Sequence, residues 1–285
     1  MIQLKDYQHR VLDSLREFLS ESARTHDPAQ AYQHVTAQVY GQPQSYLQIP
    51  DPRFARMPYV CIRVPTGGGK TLLACHTVGI VLNRYLPAPR AMVLWLVPSN
   101  TILDQTADAL RDPRHPYRRA LDLECGGPVE VLTIEEALRM TRATVEGQTV
   151  VIVSTIQCFR TSDPEGRKVY DGNNGHMKDL AATIPPDRCG DMDLGPDGRP
   201  APSLINVLRH RRPVVIVDEA HNARTKLSFA TLANTMPSCI IEFTATPDTK
   251  ENPSNVLHRV SAAELKTANM VKLPLRVITR SPSHQ

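Results

Sequence analysis

Residues 59–73 read YVCIRVPTGGGKTLL and decide the fold class. A short apolar run is followed by three glycines, a lysine and a threonine, and then by apolar residues at helical spacing. Glycines allow successive backbone N–H groups to point into one concavity, which together with a helix N-terminus forms an anion site. The pattern therefore predicts a strand, a phosphate-binding loop and a helix, in that order. The alternative is a glycine-rich turn beside a surface lysine.

Each residue of this loop has a predicted part in binding a nucleoside triphosphate. The phosphate cradle comprises Thr66, Gly67, Gly68 and Gly69. Lys70 is predicted to reach the β- and γ-phosphates, and the Thr71 hydroxyl to bind Mg²⁺. The usual pattern begins with glycine, whereas this chain has Val64 at that position. ATP and Mg²⁺ are thus the predicted cofactors.

A second stretch supplies the acidic groups that phosphoryl transfer needs. Residues 214–221 read VVIVDEAH, which predicts a buried strand ending in two carboxylates and a histidine. The carboxyl ends of parallel strands are where such sheets bind ligands. We expect Asp218 to hold Mg²⁺ and Glu219 to accept a proton from the attacking water, with Lys70 as the third catalytic residue. Taken alone, the stretch is more typical of an ordinary acidic strand end that caps the next helix. The upstream phosphate loop favours the metal site, because phosphoryl transfer needs both a cradle and a metal carboxylate.

The rest of the chain alternates between short apolar runs and helical periodicity. The runs are continuously apolar, as in strands covered by helices on both faces. They lie at 59–64, 91–97, 129–132, 149–153, 214–217 and 239–243. Helices are predicted at 71–85 and 100–110, and Thr133 with Glu136 forms a capping box. This alternation predicts an α/β fold with a mostly parallel sheet and helices on both faces, in one large domain.

Two segments interrupt the alternation. After an amphipathic opening helix, residues 22–58 carry five prolines and are predicted to be mostly irregular connection. Residues 161–202 are rich in Asp, Gly and Pro, which predicts a long loop or a partly disordered insertion.

Composition excludes several classes of protein. With 41% apolar and 22% charged residues, the chain has the composition of a globular protein, and a net charge of +4 does not by itself indicate nucleic acid. The six cysteines form no CxxC pair, which argues against a metal cage or a disulfide framework. The first ten residues lack the apolar core of a signal peptide, and no run is long enough to span a bilayer. We expect a cytoplasmic protein with no membrane partner.

Six short motifs occur together in a characteristic order. They are Tyr7-Gln8, PTGGGKT at 65–71, LVPSNTILDQT at 96–106, VSTIQ at 153–157, DEAH at 218–221 and FTATP at 243–247. This set resembles the first, RecA-like motor domain of superfamily 2 helicases and translocases. Within that superfamily, SLINVLRHRRPVVIVDEAHNART and LKTANMVKLPL most resemble the ATPase subunit of type III restriction enzymes. The resemblance extends from the opening helix to about Leu275.

The resemblance implies roles for further residues. Gln8 would read the adenine edge, and coupling of the γ-phosphate to the nucleic-acid surface would fall to His221, Thr244 and Thr246. The nucleic-acid backbone would be contacted by Ser99, Asn100, Ser154 and Thr155. For these residues, core packing and helix capping are the structural alternatives. Two arginine clusters, at 111–119 and 209–212, either extend the nucleic-acid surface or are solvated faces.

The implied organisation places the nucleotide between two motor domains. Residues 1–58 would carry the adenine motif and a connection, 59–275 the first motor domain, and 276–285 a tail toward a second domain that these residues do not hold. Expected partners are nucleic acid, more plausibly DNA than RNA, a second RecA-like domain or partner subunit, and a methyltransferase subunit. The competing hypothesis is a regulatory module that binds nucleotide and nucleic acid without productive hydrolysis.

Overall fold

The computed structural model describes residues 3–49, 51–86, 88–160, 164–218, 226–247 and 253–270. The strands are β1 Tyr59–Arg63, β2 Met92–Val97, β3 Val129–Thr133, β4 Thr149–Thr155, β5 Val214–Asp218, β6 Cys239–Thr244 and β7 Val256–Arg259. The helices are α1 Asp6–Thr25, α2 Pro28–Tyr40, α3 Lys70–Arg84, α4 Asn100–Arg111, α5 Pro116–Cys125, α6 Ile134–Ala137, α7 Arg142–Gly147, α8 Pro164–Val169, α9 Lys178–Ala181, α10 Leu204–Arg211, α11 Lys226–Ala233 and α12 Ala262–Thr267. Within these described ranges, no helix is both long and apolar enough to cross a membrane.

The strands form one parallel sheet in the order β3-β4-β2-β5-β6-β1-β7. The predicted α/β class is therefore confirmed. Each of the six predicted strands corresponds to an observed strand, and the predicted and observed bounds differ by at most two residues. β5 and β1 are separated only by β6. Because all strands run the same way, the loop after β1 and the end of β5 lie at the same edge of the sheet.

Different helices cover the two faces of the sheet. Along β2, Val93 and Trp95 belong to one core, whereas Leu94 and Leu96 belong to the other, because successive strand residues point to opposite faces. Helices α1 to α5 pack on the first face and α6 to α11 on the second. This two-sided burial explains why the strands are continuously apolar.

The prediction that residues 22–58 are mostly irregular is wrong for α2. Asp27 caps this helix by accepting hydrogen bonds from the backbone N–H groups of Ala29 and Gln30, at 3.0 and 3.1 Å. Pro28 occupies the first helical position, where a missing N–H costs nothing. Pro28 therefore marks the start of α2 and not an irregular segment. Residues 164–202 carry only short helices, although Val169, Met177 and Leu180 are buried in the second core.

Gly79 allows α5 to cross α3 at very close range. A Cβ at this position would lie 2.3 Å from Glu124 Cβ and 2.6 Å from the Glu124 carbonyl oxygen. We expect Gly79→Ala to destabilise the protein by ~1–3 kcal/mol, because the two backbones must separate. Thermal unfolding measures this as a fall of ~2–4 °C per kcal/mol. Gly147→Ala is the matched control, since no atom lies within 4 Å of its added Cβ; equal melting temperatures for the two variants would contradict the prediction.

Candidate nucleotide site

The loop between β1 and α3 has the conformation that a phosphate cradle requires. Gly67 and Gly69 adopt left-handed φ angles of 80° and 78°, which residues with a Cβ rarely adopt. Gly69 is the N-cap of α3, and the Gly68 N–H donates to the Pro65 carbonyl at 3.0 Å. Thr66 and Gly67 are exposed. The N–H groups of the first turn of α3 therefore adjoin an open, glycine-lined surface.

Val64, the departure from the usual loop pattern, packs underneath the loop. Its side chain is fully buried, and its N–H donates to the Thr244 carbonyl at 3.0 Å. A Cβ on Gly68 would lie 2.4 Å from Val64 Cγ1 and 3.0 Å from the Pro65 carbonyl oxygen. The valine therefore leaves the phosphate-facing side of the loop unchanged and makes glycine obligatory at position 68.

The first turn of α1 braces the same loop. The Tyr7 hydroxyl donates to the Gly68 carbonyl at 2.8 Å, and Gln8 Nε2 approaches the same oxygen at 3.4 Å. Gln8 Oε1 accepts from the Lys5 N–H at 2.9 Å. Both side chains are buried, and burial raises the pKa of Tyr7. Gln8 thus lies against the phosphate loop, while its contact with adenine stays a prediction.

Thr71 and Asp218 meet although 147 residues separate them in the chain. The Thr71 hydroxyl donates to Asp218 Oδ2 at 3.1 Å, and Asp218 and Lys70 are both buried. Hydroxyl and carboxylate oxygens are hard ligands. Mg²⁺ binds such oxygens together with phosphate oxygens and water. Among the described residues, no group of three or more His, Cys, Asp or Glu side chains is placed to hold a metal. The oxygen atoms of Thr71 and Asp218 have the donor chemistry that a magnesium ion would need.

Tyr117 belongs to this site and was not predicted from the sequence. Its phenol lies near Thr71, Cys75 and Asp218, and all three side chains influence its pKa. Burial is the main cause of its raised pKa, which keeps the phenol protonated at neutral pH.

The α3–α5 contact holds Tyr117 in place. His76 Nδ1 and Glu124 Oε1 are 2.9 Å apart, and Asn83 donates to the Glu124 carbonyl at 3.2 Å. A His-Pro pair at residues 115 and 116 is the sequence signal for α5: the His115 ring accepts from the Tyr117 N–H, and Pro116 begins the helix.

The coupling residues are described in part. Thr244 is buried at the end of β6, and its hydroxyl accepts from the Thr246 N–H at 3.2 Å. Thr246 itself is exposed beside the loop edge of the sheet. Because the Thr244 carbonyl also receives the Val64 N–H, β6 is linked directly to the phosphate loop. Glu219 and His221 lie outside the described residues.

The four predicted nucleic-acid contacts divide into two pairs. Ser99 and Asn100 are exposed at the start of α4, where the Ser99 hydroxyl accepts from the Ile102 N–H at 3.4 Å. Ser154 and Thr155 are buried, and the Ser154 hydroxyl donates to the Thr155 carbonyl at 3.0 Å. In this structure only the first pair forms part of the surface.

Several arginines of the two clusters have partners within the chain. Arg111 pairs with Glu136, Arg118 with Asp122 at 2.8 Å, and Arg209 with Asp193 at 2.9 Å. Arg118 also donates to the Val129 carbonyl at 2.9 Å. These contacts give the arginines structural roles in joining helices to neighbouring segments.

The chain is similar to one protein family and to several solved structures. The model of the family described as "Type III restriction enzyme, res subunit" matches residues 1–249. Among solved structures, the chain is similar to a nuclease-deletion mutant of the Type ISP restriction-modification enzyme LlaGI in complex with a DNA substrate mimic, with 14% identity, a TM-score of 0.47, and coverage of 94% of this chain and 21% of that one. It is also similar to the Hef helicase domain of Pyrococcus furiosus, with 22% identity, a TM-score of 0.36, and coverage of 67% of this chain and 31% of that one. No curated protein matches the chain.

Proposed function

The chain belongs to the family of type III restriction enzyme res subunits, and from that premise we propose that it is the ATP-binding first motor domain of a DNA translocase or helicase. The observation that carries the proposal is the contact between Thr71 and Asp218 at 3.1 Å, directly beside the glycine loop. Phosphoryl transfer needs a phosphate cradle and a metal carboxylate at one place. This arrangement supports nucleotide chemistry over a glycine-rich turn beside a surface lysine.

The residues of the site have separate tasks in the proposed reaction. Backbone N–H groups of residues 66, 67, 69 and 70 bind the phosphates, and Lys70 neutralises charge on the β- and γ-phosphates. Thr71 and Asp218 hold Mg²⁺, which when bound stabilises charge that develops on the phosphate oxygens. Tyr117 is the proposed neighbour that shields Thr71 from solvent. Glu219 is assigned as the base that takes a proton from the attacking water.

Completion of the motor is proposed to require a second RecA-like domain. In related phosphoryl transfers an arginine supplied from outside the phosphate-binding domain contributes ~10³–10⁵ in rate. The 285 residues alone should therefore bind ATP weakly and hydrolyse it slowly. The Thr244 carbonyl accepts from the Val64 N–H, and the Thr246 N–H donates to the Thr244 hydroxyl. These two described residues are proposed to couple phosphate state to the DNA surface, with His221 as the third.

The proposed nucleic-acid surface begins at the N-terminus of α4. Ser99 and Asn100 are exposed there, and small polar groups at a helix start suit contact with phosphate rather than with bases. DNA is proposed as the substrate because restriction enzymes act on DNA. A methyltransferase subunit is the proposed partner on the same ground. The competing proposal, a nucleotide-dependent module without hydrolysis, predicts binding of the same ligands without turnover.

Calorimetric titration of the chain with ATP tests the nucleotide site. We expect binding that strengthens with Mg²⁺ over EDTA, and a loss of this Mg²⁺-dependent component by at least about tenfold in Lys70→Ala, because charge-assisted bonds to phosphate are removed. Lys178→Ala removes an exposed lysine from α9 and is the matched control. Equal Mg²⁺-dependent binding by Lys70→Ala and wild type would contradict the proposal.

A further inference from the structure

A cavity of about 850 Å³ opens at the sheet edge opposite the phosphate loop. It is lined by residues at or just before the amino ends of four strands: Met92 of β2, Val150 of β4, Arg212 before β5 and Ser238 before β6. The ends of α1, α3 and α10 complete its walls. Since the phosphate loop follows the carboxyl end of β1, the cavity and the nucleotide site are separated by the length of the strands.

The lining of this cavity is strongly basic. Its ionisable residues, apart from Tyr85, are His26, Arg84, Arg90, His210, Arg211 and Arg212. No Asp or Glu is among the described lining residues. Among the described residues, the Glu146 carboxylate lies 4.0 Å from Arg211 and is paired with Arg142 at 2.8 Å. The Glu146 carbonyl accepts a hydrogen bond from Arg90. Burial lowers the pKa of His210, so the positive charge comes from the four arginines.

Helix ends alone do not account for this cluster. Arg84 and Arg211 lie in the last turns of α3 and α10, where cations interact favourably with the helix dipole. However, His210 Nδ1, Arg211 Nε and Arg212 Nε are buried without a hydrogen-bond partner among the described residues. Buried polar groups in native proteins nearly always have a partner. The described residues therefore supply no acceptor for the Nε groups of Arg211 and Arg212, and Arg84 and Arg90 are exposed on the same lining.

Apart from Asn83 and Ser238, the remaining lining is apolar and includes the ring of Tyr85. Tyr85, Leu86 and Met92 form part of this lining, and burial raises the pKa of Tyr85, so its hydroxyl stays a donor. The volume lies within the ~300–1,000 Å³ range of small-molecule sites, which combine apolar walls with a few polar anchors. Arginine is the side chain best suited to phosphate, because its planar fork donates two parallel bonds.

We propose that this cavity is a second ligand site, which binds a small phosphate-bearing molecule with an apolar part, such as a nucleotide, independently of the phosphate loop. The arginines bind the phosphate groups and the apolar wall packs against the remainder of the ligand. Such a site would allow a nucleotide to act on the motor without occupying its catalytic centre. The inference does not depend on the proposed motor function.

The test uses the Lys70→Ala chain in EDTA, where binding at the phosphate loop is weakened. Titration with tripolyphosphate and with ATP should each give saturable binding that Arg84→Gln/Arg90→Gln weakens at least about tenfold. Both arginines are exposed, so the fold should be retained, as thermal unfolding will check. Arg211→Gln, at a partly buried position in the same cavity, should weaken both ligands as well.

Arg114→Gln/Arg119→Gln is the matched control, because it removes two exposed arginines from another surface. If the control variant weakened ligand binding equally, the weakening would come from the change in net charge, and the proposal would be overturned. Absence of ATP and tripolyphosphate binding in the Lys70→Ala background would also overturn the proposal. So would a chain that binds a single-stranded oligonucleotide but neither tripolyphosphate nor ATP. The Mg²⁺-dependent binding of ATP tests only the phosphate loop. A failure of that test would leave the test of the cavity in EDTA unaffected.

Discussion

We expect Asp218→Asn, assayed together with a second motor domain, to lower ATP turnover by about 100-fold or more. A carboxylate that holds the catalytic metal supports several kcal/mol of transition-state stabilisation, and each ~1.4 kcal/mol is a tenfold change in rate. Asparagine has nearly the same shape and keeps an oxygen that accepts from the Thr71 hydroxyl. The fold should therefore survive while the negative charge is lost.

The dependence of turnover on Mg²⁺ distinguishes this role from a structural one. Asp218→Asn should need more Mg²⁺ to reach its residual rate, whereas a merely structural aspartate would leave that requirement unchanged. Asp179→Asn, at an exposed position on α9, is the control. Wild-type turnover by Asp218→Asn would remove the basis for the proposed metal site.

The companion variant Glu219→Gln separates a motor from an inert module. Loss of a general base costs ~10²–10⁴ in rate but leaves the phosphate loop and the metal ligands in place. Binding of ATP should thus be retained while turnover is lost. Unchanged turnover in the completed protein would refute the assignment of Glu219, and an absence of turnover in the wild type would favour the inert module.

The parts of the fold that could be predicted are those where local sequence and global packing require the same residues. β2 and β5 are continuously apolar because helices cover both faces of the sheet, so their bounds could be read from the sequence to within two residues. The glycine loop is equally readable, because left-handed φ angles at Gly67 and Gly69 restrict those positions. Motif order supplied the expectation that Asp218 lies beside Thr71, and the structure places them 3.1 Å apart.

The parts that could not be predicted depend on tertiary contacts without a periodic signal. β7 has only four residues and forms the sheet edge beside β1, where pairing rather than apolar pattern defines the strand. Tyr117 lies near Thr71 because Gly79 and the His76–Glu124 pair allow α5 to pack closely against α3. No residue spacing in the sequence predicts this close packing. Burial of Ser154 and Thr155 is likewise decided by what covers the end of β4.

The second large effect is expected at Gly68, where Gly68→Ala should lower Mg²⁺-dependent ATP affinity by about 100-fold and destabilise the fold by ~1–3 kcal/mol. The added Cβ would meet Val64 Cγ1 at 2.4 Å and the Pro65 carbonyl oxygen at 3.0 Å. Val64 is β-branched and fully buried, so its side chain has no free rotamer to adopt. The loop backbone must therefore shift, and the carbonyl that accepts from Tyr7 shifts with it.

Calorimetry and thermal unfolding of a set of variants locate the cause. Gly127→Ala adds a Cβ with no atom within 4 Å and should change neither affinity nor stability. Val64→Ala removes the methyl groups that crowd the new Cβ, so the double variant Val64→Ala/Gly68→Ala should recover part of the affinity lost by Gly68→Ala. The remaining contact with the Pro65 carbonyl limits the recovery. Strictly additive losses in this cycle would show that Val64 does not enforce glycine at position 68, since only residues in contact produce a coupling energy.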